Sequence, residues 1–451
     1  MNYDTIVAPA TPYGIGGIAV VRLSGPQSLL IVNKLINNND LRLKLKPRHA
    51  TLVNLQDENS VAIDESIVTF FETPNSYTGE DLIEISCHGS PVVVDKIIST
   101  CCHFGARIAD PGEFTKRAFI NGKMDLVQAE AVASLIHSQS VESSQLNLRL
   151  LHGELSTKLN NLRQKLIDAV SMVEFELDIS EDELQPDLNS HVLAIVAEQS
   201  QQIHELLSSY KQARMLNHGA LVVIAGPPNV GKSTLLNTLS ETDRAITSNL
   251  PGTTRDTIDV PLLLDGVPIN LVDTAGIRQT VEELEQKGVN RTFNYLKKAD
   301  LIILVHDPGE VETLYYNYPK NVPIIKIMNK VDLLTKTELD SIQTSHSKQL
   351  LISAKTGFNI KLLKQQIKTS LRISSSLSDN ITITTSRQQR ALKQCFNNIN
   401  TTIELLNSQR SAYELISIEL REALDAIGAI LGKTTPDDIL NNIFNQFCVG
   451  K

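Results

Sequence analysis

The spacing of apolar residues changes character several times along the chain, and the changes divide it. Over residues 1–120 short β-like runs alternate with turns: Gly17 to Leu23, the alternating Leu41 to Lys46, Ser66 to Phe71 and Leu82 to Cys87. These predict a compact α+β unit. From Gly112 to Gln185 there is no proline, and Leu126, Val127, Val132, Leu135 and Ile136 recur at helical spacing. Long helices are predicted over 121–215, with Gln201 to Met215 continuing the pattern. At Ala220 the pattern turns into a fully apolar strand, Leu221 to Ala225, opening an alternation of strands and helices within 216–375 that predicts a parallel α/β sheet. Beyond Ser374, Ser375 and Ser376, residues 376–451 become helical again, with Tyr413, Ile416, Leu420, Leu424, Ile427 and Leu431 on one face. A last helix is predicted to start with Thr435 as cap and Pro436 in its first position. Helical segments on both sides of an α/β domain predict one discontinuous helical domain, interrupted by an insertion whose ends lie close together.

The insertion carries the chemistry. Gly226-Pro-Pro-Asn-Val-Gly231-Lys232-Ser233 matches the P-loop pattern and follows a predicted strand. Its glycines let backbone N–H groups approach phosphate, Lys232 supplies positive charge, and the Ser233 hydroxyl suits magnesium. Asp273-Thr274-Ala275-Gly276 ends the strand Ile269 to Val272, placing a carboxylate near magnesium and the Gly276 N–H near a γ-phosphate. Asn329-Lys330-Val331-Asp332 ends the strand Pro323 to Met328. Its Asp332 carboxylate can accept from guanine N1–H and the exocyclic amine, a donor pair that adenine lacks. Ser353-Ala354-Lys355 follows Leu350 to Ile352 and would close over the base. Four such motifs in order, each at the carboxyl end of a predicted strand, point to a Ras-like P-loop GTPase domain. Ras-like enzymes orient water with a Gln directly after the glycine of the Asp-x-x-Gly motif, but here that position is Ile277, so another group must position the water. Between P-loop and Asp273, Ser248 to Asp256 contains Thr254, which can complete the magnesium shell.

Composition narrows the class further. With 451 residues, 41% hydrophobic and 21% charged, the chain reads as a soluble folded protein of several domains. Its net charge of -9 argues against coating nucleic acid or membrane by bulk charge, so such contacts are expected to be local. No apolar run approaches the ~18 residues needed to cross a bilayer. The N-terminus shows no signal-peptide pattern, and a cytoplasmic location is expected. Cysteines 87, 101, 102, 395 and 448 lack CxxC spacing, which suits reduced thiols. Cys87 and His88 are strand neighbours that point to opposite faces, so they do not read as a metal pair. Arg42, Lys44 and Lys46 share one strand face, either a solvated outer face or a phosphate-contact site.

Other motifs surround these: Ala10-Thr-Pro; Gly16-Gly-Ile-Ala-Val-Val-Arg22-Leu-Ser-Gly25; Tyr77-Thr-Gly-Glu80-Asp81; His88-Gly89; Pro111-Gly-Glu-Phe-Thr115; Lys123-Met-Asp-Leu; Gln128-Ala-Glu-Ala; Gly252-Thr-Thr-Arg-Asp256; and Phe447-Cys448-Val449-Gly450-Lys451. On these the chain resembles, over nearly its whole length, the MnmE (TrmE) family of tRNA modification GTPases. The Cys-x-Gly-Lys motif is the most diagnostic.

The resemblance implies a set of ligands and partners. Domains are implied at 1–120 (tetrahydrofolate binding and dimerisation), 121–215 and 376–451 (helical) and 216–375 (GTPase). GTP would contact Asn229, Val230, Gly231, Lys232, Ser233, Thr234, the 248–254 segment (Ser248, Asn249, Leu250, Pro251, Gly252, Thr253, Thr254), Asp273 to Gly276, Asn329, Lys330, Asp332 and Ser353 to Lys355. Magnesium would be held by Ser233 and Thr254. In place of an arginine finger the family uses potassium, which implies Asn229, Ser248, Leu250 and Thr253 as its ligands; Ser248 and Asn249 stand where Thr-Asp is more usual. Glu285 would orient water through a second water, with Asp273, Lys232 and Thr254 completing the catalytic set. A 5,10-methylene- or 5-formyltetrahydrofolate would meet Arg22, Glu80, Lys123 and Lys451, while Cys448 is either an activated thiol or structural. The implied assembly is a homodimer that works on tRNA with the FAD-dependent MnmG (GidA), without a membrane. It would place a carboxymethylaminomethyl or aminomethyl group on C5 of the wobble uridine. A ribosome-assembly GTPase of the same superfamily is the alternative.

Overall fold

The computed structural model describes residues 4–36, 45–178, 188–242, 259–264, 266–273, 294–308, 318–335, 337–339, 342, 349–371, 381–408, 412–434, 437–445, 447 and 450. Contacts group the chain into two compact units, one of residues 1–133, 151–164 and 424–451, the other of residues 134–150 and 165–423.

Among the described residues the first unit is built on six strands: β1 (Ile6–Pro9), β2 (Ile18–Ser24), β3 (Ala50–Gln56), β4 (Ala62–Phe71), β5 (Leu82–His88) and β6 (Arg107–Ile108). They lie in the order β3-β4-β5-β2-β1-β6, antiparallel except for the β1–β6 pair. Period-two alternation turns Val21, Leu23, Val68, Ile83 and Ile85 onto one face, where Ile31 and Val32 of α1 (Ser28–Leu35) and Ile97 of α2 (Pro91–His103) cover them. The predicted strand over 41–46 is not continued at Leu45 and Lys46, which lie outside any strand; Arg42 and Lys44 lie outside the described residues. Pro47 lacks an N–H for a ladder and Arg48 has φ 58, so extended backbone stops there. Helices α3 (Glu113–Ile120) and α4 (Leu126–Ile136) follow. Phe444 and Phe447 pack with Leu126, Ala129 and Val132, which brings the end of the chain onto its beginning.

The second unit holds α5 (Val141–Leu151) to residue 150, α6 (Glu154–Asp178) from residue 165, and α7 (Leu188–His218). Its sheet orders β12-β11-β10-β7-β9-β8: β7 (Ala220–Ala225), β8 (Asp259–Leu264), β9 (Val267–Asp273), β10 (Leu301–His306), β11 (Ile324–Met328) and β12 (Leu350–Leu351). All pairs are parallel except β8–β9. Both faces are covered, which explains the unbroken apolar runs. Leu235 and Leu239 of α8 (Lys232–Thr242) and Leu363 and Ile367 of α9 (Ile360–Leu371) join the core on one face, and Leu296 and Ala299 that on the other. The chain then re-enters helix as α10 (Ser386–Leu406), whose Thr385 cap and Gln388 form a capping box. There Ser200 Oγ of α7 donates to Asn400 Oδ1 at 3.0 Å, tying the helical segments before and after the sheet. Helix α11 (Tyr413–Leu431) belongs to this unit up to residue 423, and its remainder with α12 (Asp437–Phe444) to the first unit; the predicted cap at Thr435 and Pro436 lies outside the described residues.

Candidate functional site

The phosphate-facing loop starts where β7 ends, beside the point at which strand order reverses about β7, the place where open α/β sheets bind ligands. At Gly226, φ is 150 and a Cβ would sit 2.1 Å from the Val305 carbonyl oxygen, so the turn runs against β10 and requires glycine. Asn229 takes φ 64, which asparagine tolerates better than most residues. Lys232 then opens α8, directing the helix N-terminus at the loop. The buried Lys232 Nζ donates to the Gly226 and Pro227 carbonyls at 3.1 and 2.5 Å.

Parallel register sets Ile224 of β7 opposite Asp273, the buried last residue of β9. The Ser233 hydroxyl donates to Asp273 Oδ2 at 2.7 Å. A hydroxyl and a carboxylate in contact at the foot of an anion-binding loop form the hard oxygen set that magnesium takes. From β11, Asn329 spans two loops: its Nδ2 donates to Val230 O at 2.8 Å and its Oδ1 accepts from Ala354 N at 2.9 Å. Ser353 Oγ donates to Asp332 Oδ1 at 2.6 Å, and Thr238 Oγ1 of α8 to Ala354 O at 2.8 Å. Lys330, at φ 63, pairs with Asp307 at 3.2 Å. Thus the first, third and fourth motifs, with Asp273 of the second, converge at the carboxyl ends of β7, β9, β11 and β12. Thr234 and Lys355 are exposed there. Ser248 to Thr254, Thr274 to Gly276, Ile277 and Glu285 lie outside the described residues.

In the first unit, Arg22 of β2 stands opposite Glu84 of β5 and donates to its Oε1 through Nε and Nη2 at 3.1 and 2.6 Å. Its guanidinium lies 5.3 Å from the centre of the Tyr77 ring, and Nη1 reaches Gly450 O at 3.5 Å. The tail comes close because Gly450 has no Cβ: one would fall 2.0 Å from Pro9 O. Glu80 accepts from Ser24 Oγ at 2.7 Å and from Arg117 Nη1 at 3.2 Å. Lys123 Nζ donates to Pro74 O at 2.9 Å and lines a cavity with Tyr77. Tyr77 therefore links the Arg22 side to the Lys123 side, and burial pushes its hydroxyl up from the ordinary value. Lys451 and Cys448 lie outside the described residues. Cys87 is buried with its thiol pushed up by burial, whereas His88 is exposed and paired with Asp64 at 2.7 Å.

Comparison with known proteins decides between the GTPase families. A model described as the MnmE helical domain matches residues 126–448, and one described as the GTP-binding protein TrmE N-terminus matches residues 5–123. The tRNA modification GTPase MnmE of Christiangramia forsetii is 37% identical over 472 residues, covering 99% of both chains. That of Aquifex aeolicus is 37% identical over 453 residues, covering 99% of this chain and 100% of its own. This chain belongs to the tRNA modification GTPase MnmE family. Among solved structures, a variant of Aquifex aeolicus Era bound to GDP.AlF4- matches 43% of this chain and 69% of its own at 27% identity, with a TM-score of 0.27.

Within this MnmE-family chain, the sequence reading passed over the groups around Glu80. Arg117 is 7% exposed and pairs with Asp4 at 2.8 Å and Glu113 at 2.9 Å besides Glu80. Its signal was present: Arg117 falls on the face of α3 that also carries Phe114 and Ala118, at helical spacing. Burial pulls the Arg117 guanidinium down, but Glu113 and Glu80 outweigh it and hold it above its ordinary value.

Proposed function

We propose that this chain hydrolyses GTP as the driving step of tRNA wobble-uridine modification, working as a homodimer with the FAD-dependent MnmG and a folate one-carbon unit. The observation that supports it most is the meeting, in one chain of this family, of the Ser233–Asp273 contact with Arg22 beside the Gly450 carbonyl.

Each ligand is read from the residues that suit it. Lys232 and the P-loop N–H groups hold the phosphates, Asp332 reads guanine, and Ser233 with Thr254 holds magnesium, which neutralises phosphate charge. Asn229, Ser248, Leu250 and Thr253 hold potassium, which supplies the positive charge an arginine finger would. Glu285 orients the attacking water. On the folate side, Arg22 and Lys123 suit carboxylates and Lys451 adds a third cation. Glu80 suits the pterin N–H edge, sharing its carboxylate with Arg117. Dimerisation is supported by the open face of the first sheet: Leu52 pairs with Ile67 across β3 and β4, and both are exposed, as are Ile15 and Ile18. Segment borders near 120, 215 and 375 are proposed with it, the N-terminal family match ending at 123 in support. The location proposed is the cytoplasm; among the described residues no helix is long and apolar enough to cross a membrane.

Asp273→Asn tests the coupling. Hydrolysis is expected to fall on the order of 100-fold or more, and nucleoside mass spectrometry of tRNA from cells carrying only this variant should show loss of the C5 substituent. Modified tRNA persisting without hydrolysis would overturn the coupling.

A further inference from the structure

The first unit contains a cavity of about 620 Å³ lined by Arg48, Thr69, Phe71, Asn75, Tyr77 and Lys123 among others. That volume is within the ~300–1,000 Å³ range of small-molecule sites. None of the described residues lining it is acidic, and two, Arg48 and Lys123, are basic. Both cations rest on one short turn: Lys123 Nζ donates to the Pro74 carbonyl at 2.9 Å and Arg48 Nη2 to the Asn75 carbonyl at 3.2 Å. Neutral carbonyls leave their charge uncompensated. Arg48 is moreover held at φ 58, a backbone region that arginine seldom occupies, by its N–H donating to Phe70 O at 2.7 Å. A strained residue fixed in place at a cavity wall points to a functional constraint on its side chain. Phe71 and Tyr77 add aromatic surface, and Tyr77 carries Arg22 on its ring.

We infer that this cavity receives the glutamyl end of the folate, Arg48 joining Lys123 to pair with its carboxylates while Phe71 and Tyr77 flank the aryl amide. The inference rests on the folate reading above and adds Arg48 to it as a residue that selects for the ligand's anionic tail.

The test uses the full chain and calorimetric titration with two probes, (6S)-5-formyltetrahydrofolate and the primary amide of 5-formyltetrahydropteroate, which keeps the aryl amide but lacks the glutamate and any tail carboxylate. The informative variant is Arg48→Gly, because glycine accepts the positive φ and removes only the side chain; circular dichroism and the melting temperature verify its fold. Wild type should bind the glutamate-bearing probe more tightly. The variant should lose on the order of 10- to 100-fold in affinity for that probe and nothing for the pteroate amide, with Arg48→Lys restoring part of the loss. Equal affinities of wild type for both probes, or an equal loss for both in the variant, would overturn the inference while leaving folate binding intact. Binding of neither probe by wild type would instead remove the folate reading and this inference with it. Weakened tRNA binding by Arg48→Gly at unchanged folate affinity would reassign the cavity to phosphate and likewise overturn the proposal.

Discussion

Asp332 is an exposed carboxylate whose Oδ1 accepts from the Ser353 hydroxyl at 2.6 Å, and in the proposed function it reads the base. Its two acceptor oxygens match the N1–H and amine of guanine. Xanthine keeps N1–H but presents a carbonyl in place of the amine, so a carboxylate repels it and an amide would not. Asp332→Asn is therefore expected to weaken GTP binding on the order of 100-fold and to raise xanthosine triphosphate above it; competition between the two nucleotides for a fluorescent analogue would measure this. An unchanged preference would show that another group reads the base. Asp332 and Lys232 were legible because their chemistry depends on local spacing. Arg48 was not: it looks like any surface arginine until the backbone places it at positive φ beside Phe71 and Lys123.

Among the elements, β7, β9 and β11 were readable because each is short and mostly apolar, the mark of strands covered on both faces. The β8 strand was missed; Pro261 interrupts it, and a proline is tolerated there because β8 is the sheet's edge. Helix α3 carries a different lesson, since its i,i+4 pair Glu113 and Arg117, with side chains 13% and 8% exposed, forms the inner part of an ionic cluster whose outer members, Asp4 and Arg107, face solvent. Arg107 bonds Asp4 at 2.6 Å and Glu113 at 2.7 Å, joining β6 to α3. Burial pushes the Glu113 carboxyl up, but Arg107, the Asp110 N–H and Arg117 outweigh it and hold it below its ordinary 4.5. A folded-state value below the unfolded one means that the unfolded chain takes up the proton first as pH falls. The stabilisation is thus fully present above about 4.5 and is lost as pH drops through the folded value. Glu113→Gln should cost about 1–3 kcal/mol at pH 7, and the gap between variant and wild-type melting temperatures should close toward pH 3. A gap independent of pH would assign Glu113 a packing role only.

For the molecule as a whole, the second unit joins the nucleotide sheet to a long helix at the end opposite the phosphates. Asp300, at the foot of β10 and 4% exposed, accepts from Arg214 of α7 at 2.5 Å and from the Leu221 N–H of β7 at 3.0 Å. From β9, Asn270 Nδ2 donates to the His218 carbonyl that ends α7 at 2.9 Å. Three strands leading to the P-loop, to Asp273 and to the sheet centre are thereby fastened to one helix of 31 residues. Since α7 also bonds α10 through Ser200 and Asn400, a tilt of the sheet is carried directly into the helices on either side of it in sequence. No part of this is visible in the sequence, where Arg214 and Asp300 are separate charges in helical and strand contexts. Arg214→Met keeps the aliphatic stem and removes the tie. Hydrolysis by the isolated variant should remain within about twofold of wild type, because Arg214 is remote from the carboxyl ends of the strands. Wobble-uridine modification, scored by nucleoside mass spectrometry in cells carrying only the variant, should fall on the order of 10-fold or more if that tie carries a coupling of about 1.4 kcal/mol or greater. A proportional fall in both activities would mean that Arg214 supports the sheet itself, and an unchanged level of modification would place the coupling elsewhere in the helices.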